Sequence, residues 1–340
     1  LSESETLAMA RKCRELQSKG IDIINLSLGE PDFNTPDFIK QEAKEAIDKN
    51  FSKYMPVAGY MDLRNAISKK FKRDNNLNYS PDQIVVSTGA KQSIANAILS
   101  LLNPGDEVLL PAPYWVSYFE IIKLAGAKAV IIPTSMENNF KVTAPQLKKF
   151  ITPKTKMLIY SSPCNPTGSV YTKEELKSIA ELIASCKNIF IIADEIYEYI
   201  NYIGKHESIA QFDFIYDLVI TVNGMSKGYA MTGWRIGYIG APLEIAKACD
   251  KIQGQFTSGA SSIAQRAANA ALNGNHSTIE MMKNEFQKRR DIIVELLRSI
   301  PGIKTNVPEG AFYVFPDVKN YFGKKFNNNS INSSDELSMY

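Results

Sequence analysis

Hydrophobic positions along this chain follow two different rhythms. From Ile21 to about Gly240, short continuous apolar runs alternate with stretches whose apolar residues recur every three or four positions. The runs IDIINLSLG, QIVVSTG, EVLLPAP, KAVIIPT, KMLIYSS, NIFIIADE, DLVITVNG and RIGYIGA read as strands. The stretches between them read as helices with clear punctuation. Thr35-Pro36 opens one, Asn103-Pro104 closes another, Gly126 ends a third, and Thr172 with Glu175 forms a capping box in TKEE. Strands that are apolar on both faces predict a mostly parallel sheet covered on each side by helices, a three-layer α/β/α architecture. In such sheets, sites gather at the C-terminal ends of the strands.

Outside that segment the pattern changes. Residues 2–19 read as an amphipathic helix, with Ser2 and Glu5 as a capping box and Gly20 as the stop. Beyond Gly240 come three helical runs, PLEIAKACDKIQGQ, SSIAQRAANAALNG and residues 277–300, then a strand-like KTNVPEGAFYVFPDV and a polar loop over 323–334. These imply a large domain over 21–240 and a smaller α+β domain built from 1–20 and 241–340. Ser333 and Glu336 form another capping box, opening a helix at DELSMY that has no closing signal. The expectation is that the natural chain continues past Tyr340.

Composition narrows the function. The 340 residues are 44% hydrophobic, enough for a large core. Net charge is +3, and no basic block alternates with aromatics, which argues against nucleic acid. The longest apolar runs fall far below the ~18 residues of a membrane span, and the N-terminus is not a signal peptide in pattern. Cys13, Cys164, Cys186 and Cys249 are scattered without a CxxC pair, and there are only two histidines, so no metal site is expected. The reading is a cytoplasmic enzyme.

The candidate chemistry centres on VNGMSKGYAMTGWRIGY, residues 222–238. Lys227 offers an amine for a Schiff base, and Arg235, eight residues on, can grip a phosphate in bidentate fashion. Pyridoxal 5′-phosphate (PLP) carries an aldehyde at one end and a phosphate at the other. Further candidates stand at the strand ends. Asp194 follows an apolar strand; it is either a helix N-cap or the partner of a pyridinium nitrogen, with Tyr197 one turn on. Asn165 is either turn chemistry or an amide donor, and Asn165–Pro166 is a candidate cis bond. Gly89, Ala90 and Lys91 open a helix and can present N–H groups to a phosphate. Trp115 is either a core aromatic or a ring-stacking platform. Tyr54 lies in a Pro/Gly loop.

Taken together, these residues resemble the class I aminotransferases, PLP enzymes of fold type I, and most of all the bacterial aspartate aminotransferase branch with its aspartate/prephenate members. The carriers are SLGEPDF, KYMPVAGYMDLR, STGAKQ, PAPYW, SSPCNPTG, ADEIY, NGMSKGYAMTGWRIGY and PEGAFY, in that order. The resemblance implies that Lys227 is the Schiff-base lysine and proton shuttle, that Asp194 pairs with the pyridine nitrogen, and that Tyr197 and Asn165 hold the ring oxygen. It implies Trp115 on the ring, and Gly89, Ala90, Lys91, Ser226 and Arg235 around the phosphate. Tyr54 would reach the phosphate of a neighbouring subunit in a homodimer. Gly29 and Asn165 would contact the substrate α-carboxylate. Lys91 would meet the distal carboxylate of aspartate or glutamate, the expected amino donors to 2-oxoglutarate or oxaloacetate. The family's C-terminal carboxylate-binding arginine has no match; Arg289, Arg290 and Arg298 read as helix-surface residues. Aromatic or prephenate transamination, a PLP lyase or synthase on the same scaffold, and a non-catalytic PLP-binding module remain the competing readings. No GxGxxG follows a strand, which disfavours a nicotinamide dehydrogenase.

Overall fold

The structure, a computed structural model, describes residues 5–26, 28–186, 188–327 and 329–338. Three helices precede the sheet: α1 (Glu5–Ser18), α2 (Asp37–Asp48) and α3 (Met61–Lys70). Strand β1 (Ile84–Thr88) and helix α4 (Ala90–Leu101) begin the alternation. It continues through β2 (Glu107–Ala112), α5 (Ser117–Leu124), β3 (Lys128–Pro133), α6 (Ala144–Lys148), β4 (Thr155–Ser161), α7 (Lys173–Ala184), β5 (Phe190–Asp194), β6 (Val219–Gly224) and β7 (Ile236–Gly240). Helices α8 (Leu243–Phe256), α9 (Ser262–Asn273) and α10 (Ser277–Ser299) follow. A small hairpin of β8 (Lys325–Phe326) and β9 (Asn329–Ser330) and the short α11 (Ser334–Ser338) complete the described chain.

The seven strands form one sheet in the order β1-β7-β6-β5-β4-β2-β3, parallel except for β7, which runs antiparallel to both neighbours. The continuous apolar runs have the predicted cause. Along β4 and β5, Leu158, Tyr160, Ile191 and Ala193 enter one core cluster, while Met157, Ile159 and Ile192 enter the other. Successive side chains alternate faces, so a strand buried on both sides must be apolar throughout. Leu63 of α3, Leu176 of α7 and Ala267 of α9 cover the first face; Ile94 of α4, Ile121 of α5 and Ile245 of α8 cover the second.

The punctuation also holds. Thr172 caps α7 with reciprocal bonds to Glu175, and Gly20 and Gly126 take positive φ at helix ends. Ser333 accepts from Glu336 N at the start of α11. The Ser2 side of the first capping box lies outside the described residues. Two expected strands do not form. IDIINLSLG is irregular, and Ile24 and Leu26 are 87% and 85% exposed, with no sheet neighbour to bury them. KTNVPEGAFYVFPDV makes only isolated bridges, Lys304 to Asp317 and Asn201 to Gly310. Pro308 and Pro316 remove ladder donors there, and Ala311 at φ 56° turns the chain. None of the described helices is long and apolar enough to cross a membrane.

Ile220, the second residue of β6, is fully buried in the second cluster. Ile220→Ala is expected to lower stability by ~2–5 kcal/mol, the usual range for such a cavity. Urea denaturation with an unchanged m value checks this; a loss below ~1 kcal/mol would contradict the packing described.

Candidate active site

Five parallel strands point their C-terminal ends at a cavity of about 480 Å³. Ala90 follows β1, Trp115 follows β2, Ser161 ends β4, Asp194 ends β5, and Ser226 and Lys227 follow β6. The sheet therefore gathers residues that are far apart in sequence.

The Lys227 loop is fixed at both ends. Met225 N donates to Ile236 O, bridging β6 and β7, and Met231 N donates to Ser226 O. Thr35 Oγ1 donates to Ala230 O and in turn accepts from Trp234 Nε1. Lys227 Nζ points into the cavity and donates to Gly29 O at 2.6 Å. Burial lowers its pKa to about 8, with Arg235 assisting, while Glu30 and Asp194 pull the other way. Near neutral pH roughly a tenth is thus the free amine, against well under a thousandth for an ordinary lysine.

Asp194 is 4% exposed. Tyr118 donates to its Oδ2 at 2.5 Å and Ile196 N to its Oδ1 at 3.3 Å. Burial still dominates and lifts the carboxyl to about 6, with Glu195 adding to the rise. A buried carboxylate held this high is a site for a cation. Tyr197 lines the same cavity, its hydroxyl bonded to that of Tyr313.

At the other end, Arg235 sits in the left-handed region at φ 56°, with Nη1 donating to Thr232 O. Its guanidinium crosses directly over Gly89, where a Cβ would lie 2.1 Å from Nη2. Gly237 is equally constrained, since its Cβ would fall 2.1 Å from Ala90 N. Two glycines thus bring β7, Arg235 and the N-terminus of α4 together. No side chain caps α4, so its first N–H groups and the guanidinium converge as an anion site. Ser226 lines the cavity nearby. Lys91 Nζ lies 4.9 Å from the centre of the Trp115 ring; burial, then Arg235, lowers its pKa.

Asn165 also lines the cavity, and its bond to Pro166 is cis, as expected. Gly29 lines it too, with its carbonyl on Lys227. Tyr54 does not join this cavity: it is 99% exposed. Arg289, Arg290 and Arg298 stay outside it as well. Arg290, however, is not a surface residue; its side chain is 13% exposed and donates to Pro308 O. Sequence reasoning missed Tyr118 and gave Tyr313 no role. Tyr118 was accessible from its spacing, one helical turn after Trp115.

Residues 21–337 match the family model described as aminotransferase class I and II. The chain is 48% identical over 336 residues to the probable aspartate/prephenate aminotransferase of Rhizobium leguminosarum bv. phaseoli, covering 98% of this chain and 84% of that protein. The crystal structure of the aspartate aminotransferase from Rhizobium meliloti matches with a TM-score of 0.95 at 39% identity, over 99% of this chain and 85% of that one. The Thermus thermophilus aspartate aminotransferase with maleate matches with a TM-score of 0.90 at 40% identity, over 93% and 83%.

A carboxyl raised from 3.8 to about 6 by folding destabilises the protein once ionised. The folded state binds the proton more tightly, so this stability is present at low pH and lost as pH rises through about 6. Asp194→Asn is therefore expected to stabilise the cofactor-free protein at pH 7 by roughly 2–3 kcal/mol. The gain should disappear toward pH 4. Urea midpoints across pH check it, and a destabilised variant at pH 7 would contradict the assignment.

Proposed function

The chain belongs to the aminotransferase class I and II family, and from that premise we propose that it binds PLP in this cavity and moves an amino group between an amino acid and a 2-oxo acid. One observation carries the cofactor reading: a buried carboxylate at about 6 and a buried amine at about 8 face the same space, with a cationic cradle beside them. The donor set fits PLP group by group. Asp194 lacks a cation that a pyridinium nitrogen would supply. Arg235, Ser226 and the start of α4 would hold the phosphate. Lys227 offers its amine to the aldehyde, Tyr197 and Asn165 would hold the ring oxygen, and Trp115 would lie against the ring.

When bound, PLP supplies an aldehyde and an electron-withdrawing ring that stabilises negative charge at the substrate Cα. The protein does the rest. Asp194 would keep a proton on the ring nitrogen. Lys227 Nζ, once in its amine form, would take the substrate Cα proton and return it at C4′, two bonds away across the nitrogen. The same residues serve both half-reactions, which gives ping-pong kinetics.

Aspartate and glutamate are the proposed amino donors, with oxaloacetate and 2-oxoglutarate as acceptors. Lys91 supports this, as a desolvated cation beside an aromatic face at the cavity wall. The Thermus relative's complex with maleate, a dicarboxylate, points the same way. Prephenate is a further acceptor to test, in keeping with the name of the Rhizobium relative.

The active unit is proposed to be a homodimer. Tyr54, Leu26 and Phe256 are 99%, 85% and 68% exposed, bare apolar surface of which Leu26 lies at the cavity itself. Tyr54, absent from its own cavity, is free to enter the neighbour's. The two-domain division is likewise proposed. Packing of α8 on α4, and of α9 on α2 and α3, favours placing its second boundary between α9 and α10. A cytoplasmic location fits the scattered cysteines.

Purified protein should show the visible absorbance of Lys227-bound PLP, lost on adding aspartate or glutamate. Lys227→Ala should abolish that absorbance and reduce turnover by at least ~10³-fold. Retention of the lysine-bound absorbance in this variant would sink the reading. Ammonia release in place of amino transfer would point to the lyase alternative.

A further inference from the structure

Behind the cavity lies a second set of charges that the chemistry does not use. Asp194 and Tyr197 face the cavity, and they are one helical turn apart. Glu195 and Glu198, also one turn apart, are 1% and 5% exposed and enter a buried polar cluster. Lys70, the last residue of α3, is fully buried and ion-paired with Glu198. A π-helical turn, Phe71–Asn75, continues α3 and swings Asn75 back to bond both partners, accepting from Lys70 Nζ at 2.7 Å and donating to Glu198 Oε2 at 2.8 Å. His206 Nε2 stands 3.1 Å from Glu195 Oε2. Among the described residues, no side chain makes a well-aligned hydrogen bond to either Glu195 oxygen.

Charge balance decides what this cluster is. Two buried carboxylates oppose one ammonium, which leaves one positive charge to be supplied. His206 is the side chain placed to carry it. We propose that Lys70, Glu198, Glu195 and imidazolium His206 form a buried, charge-balanced clamp on the turn after β5. Acting through the shared turn, its members are positioning residues for Asp194 and Tyr197. The inference rests on the PLP reading for its functional consequence, but not for its electrostatics.

The backbone supports the coupling. Glu195 N donates to Val222 O, extending the β5–β6 ladder, and Glu198 N donates to Glu195 O. Residues 194–198 are therefore one rigid turn, held from behind by the two glutamates. Burial alone would lower the His206 pKa, but Glu195, with help from Glu198, outweighs it and raises the group overall; Lys70 opposes. Tyr160 of β4 and Tyr79, just before β1, also face Glu195, and Asp74, paired with Arg73, faces Lys70. With its pKa raised by folding from the ordinary 6.5, His206 contributes stability that is complete below that value and lost as pH rises through the folded one.

The test compares wild type with His206→Gln and with His206→Gln/Glu195→Gln. PLP affinity is measured on the cofactor-depleted protein, and urea midpoints are measured across pH without cofactor. His206→Gln leaves Glu195 uncompensated, so PLP affinity should fall about tenfold at neutral pH. Adding Glu195→Gln should restore it to within about threefold, and lowering the pH should recover the single variant's stability. Wild type should lose stability on the alkaline side in a step missing from both variants. Unchanged affinity in His206→Gln, no rescue by Glu195→Gln, or a stoichiometric divalent metal in the purified protein would each overturn the clamp. A wild type that takes up no PLP overturns the cofactor reading instead, and the urea series then decides the clamp alone.

Discussion

A carboxylate buried at the end of a strand is the constraint on which this structure turns. Asp194 is almost wholly buried, and the fold accepts a penalty to keep it there. Tyr118 offsets part of that penalty but supplies no charge. The remainder is a standing demand for a cation. The surroundings answer the demand of any flat, cationic ring with an anionic tail: an amine on one side, an aromatic wall, and a guanidinium over the end of a helix. A site of this kind binds because its empty state is unfavourable, which is a common way for a stable scaffold to spend stability on function.

The second charge cluster sharpens this picture. Lys70, Glu198, Glu195 and His206 occupy the other side of the same short turn, so one five-residue segment carries two electrostatic problems back to back. The rear problem is solved internally by pairing; the front one is left open. Pairing at the rear costs little in mobility because α3, its π turn and the sheet are already packed.

Much of this was legible in the sequence, and for identifiable reasons. Continuous apolar runs such as KMLIYSS and NIFIIADE declared a sheet buried on both faces, and the residues just past them, Asn165 and Asp194, declared the site. Lys227 and Arg235 could be read because a glycine-rich loop between two strands holds them at fixed spacing. The failures have physical causes too. IDIINLSLG has the pattern of a strand but no neighbouring edge to pair with. KTNVPEGAFYVFPDV has strand-like composition interrupted by prolines and a left-handed alanine. The buried cluster was missed because counting histidines addresses metal sites, whereas His206 matters here as a counter-charge. Nothing in the sequence around Lys70 separates it from a solvated helix lysine, and only the fold shows it fully enclosed.

The antiparallel strand β7 has a consequence for motion. Because β7 runs back beside β6, the loop carrying Lys227 and Arg235 leaves one strand and enters its immediate neighbour, with Gly224 opposite Gly237 in the ladder. Both ends of the loop are fastened to the same pair of interior strands of a seven-stranded sheet. Lys227 and Arg235 are therefore anchored in the laddered part of the molecule, while the chain around Gly29, which supplies the lysine's acceptor, has no such ladder. Rigidity is concentrated on the Lys227 and Arg235 side of the cavity, and whatever adjusts to different ligands must do so from the other.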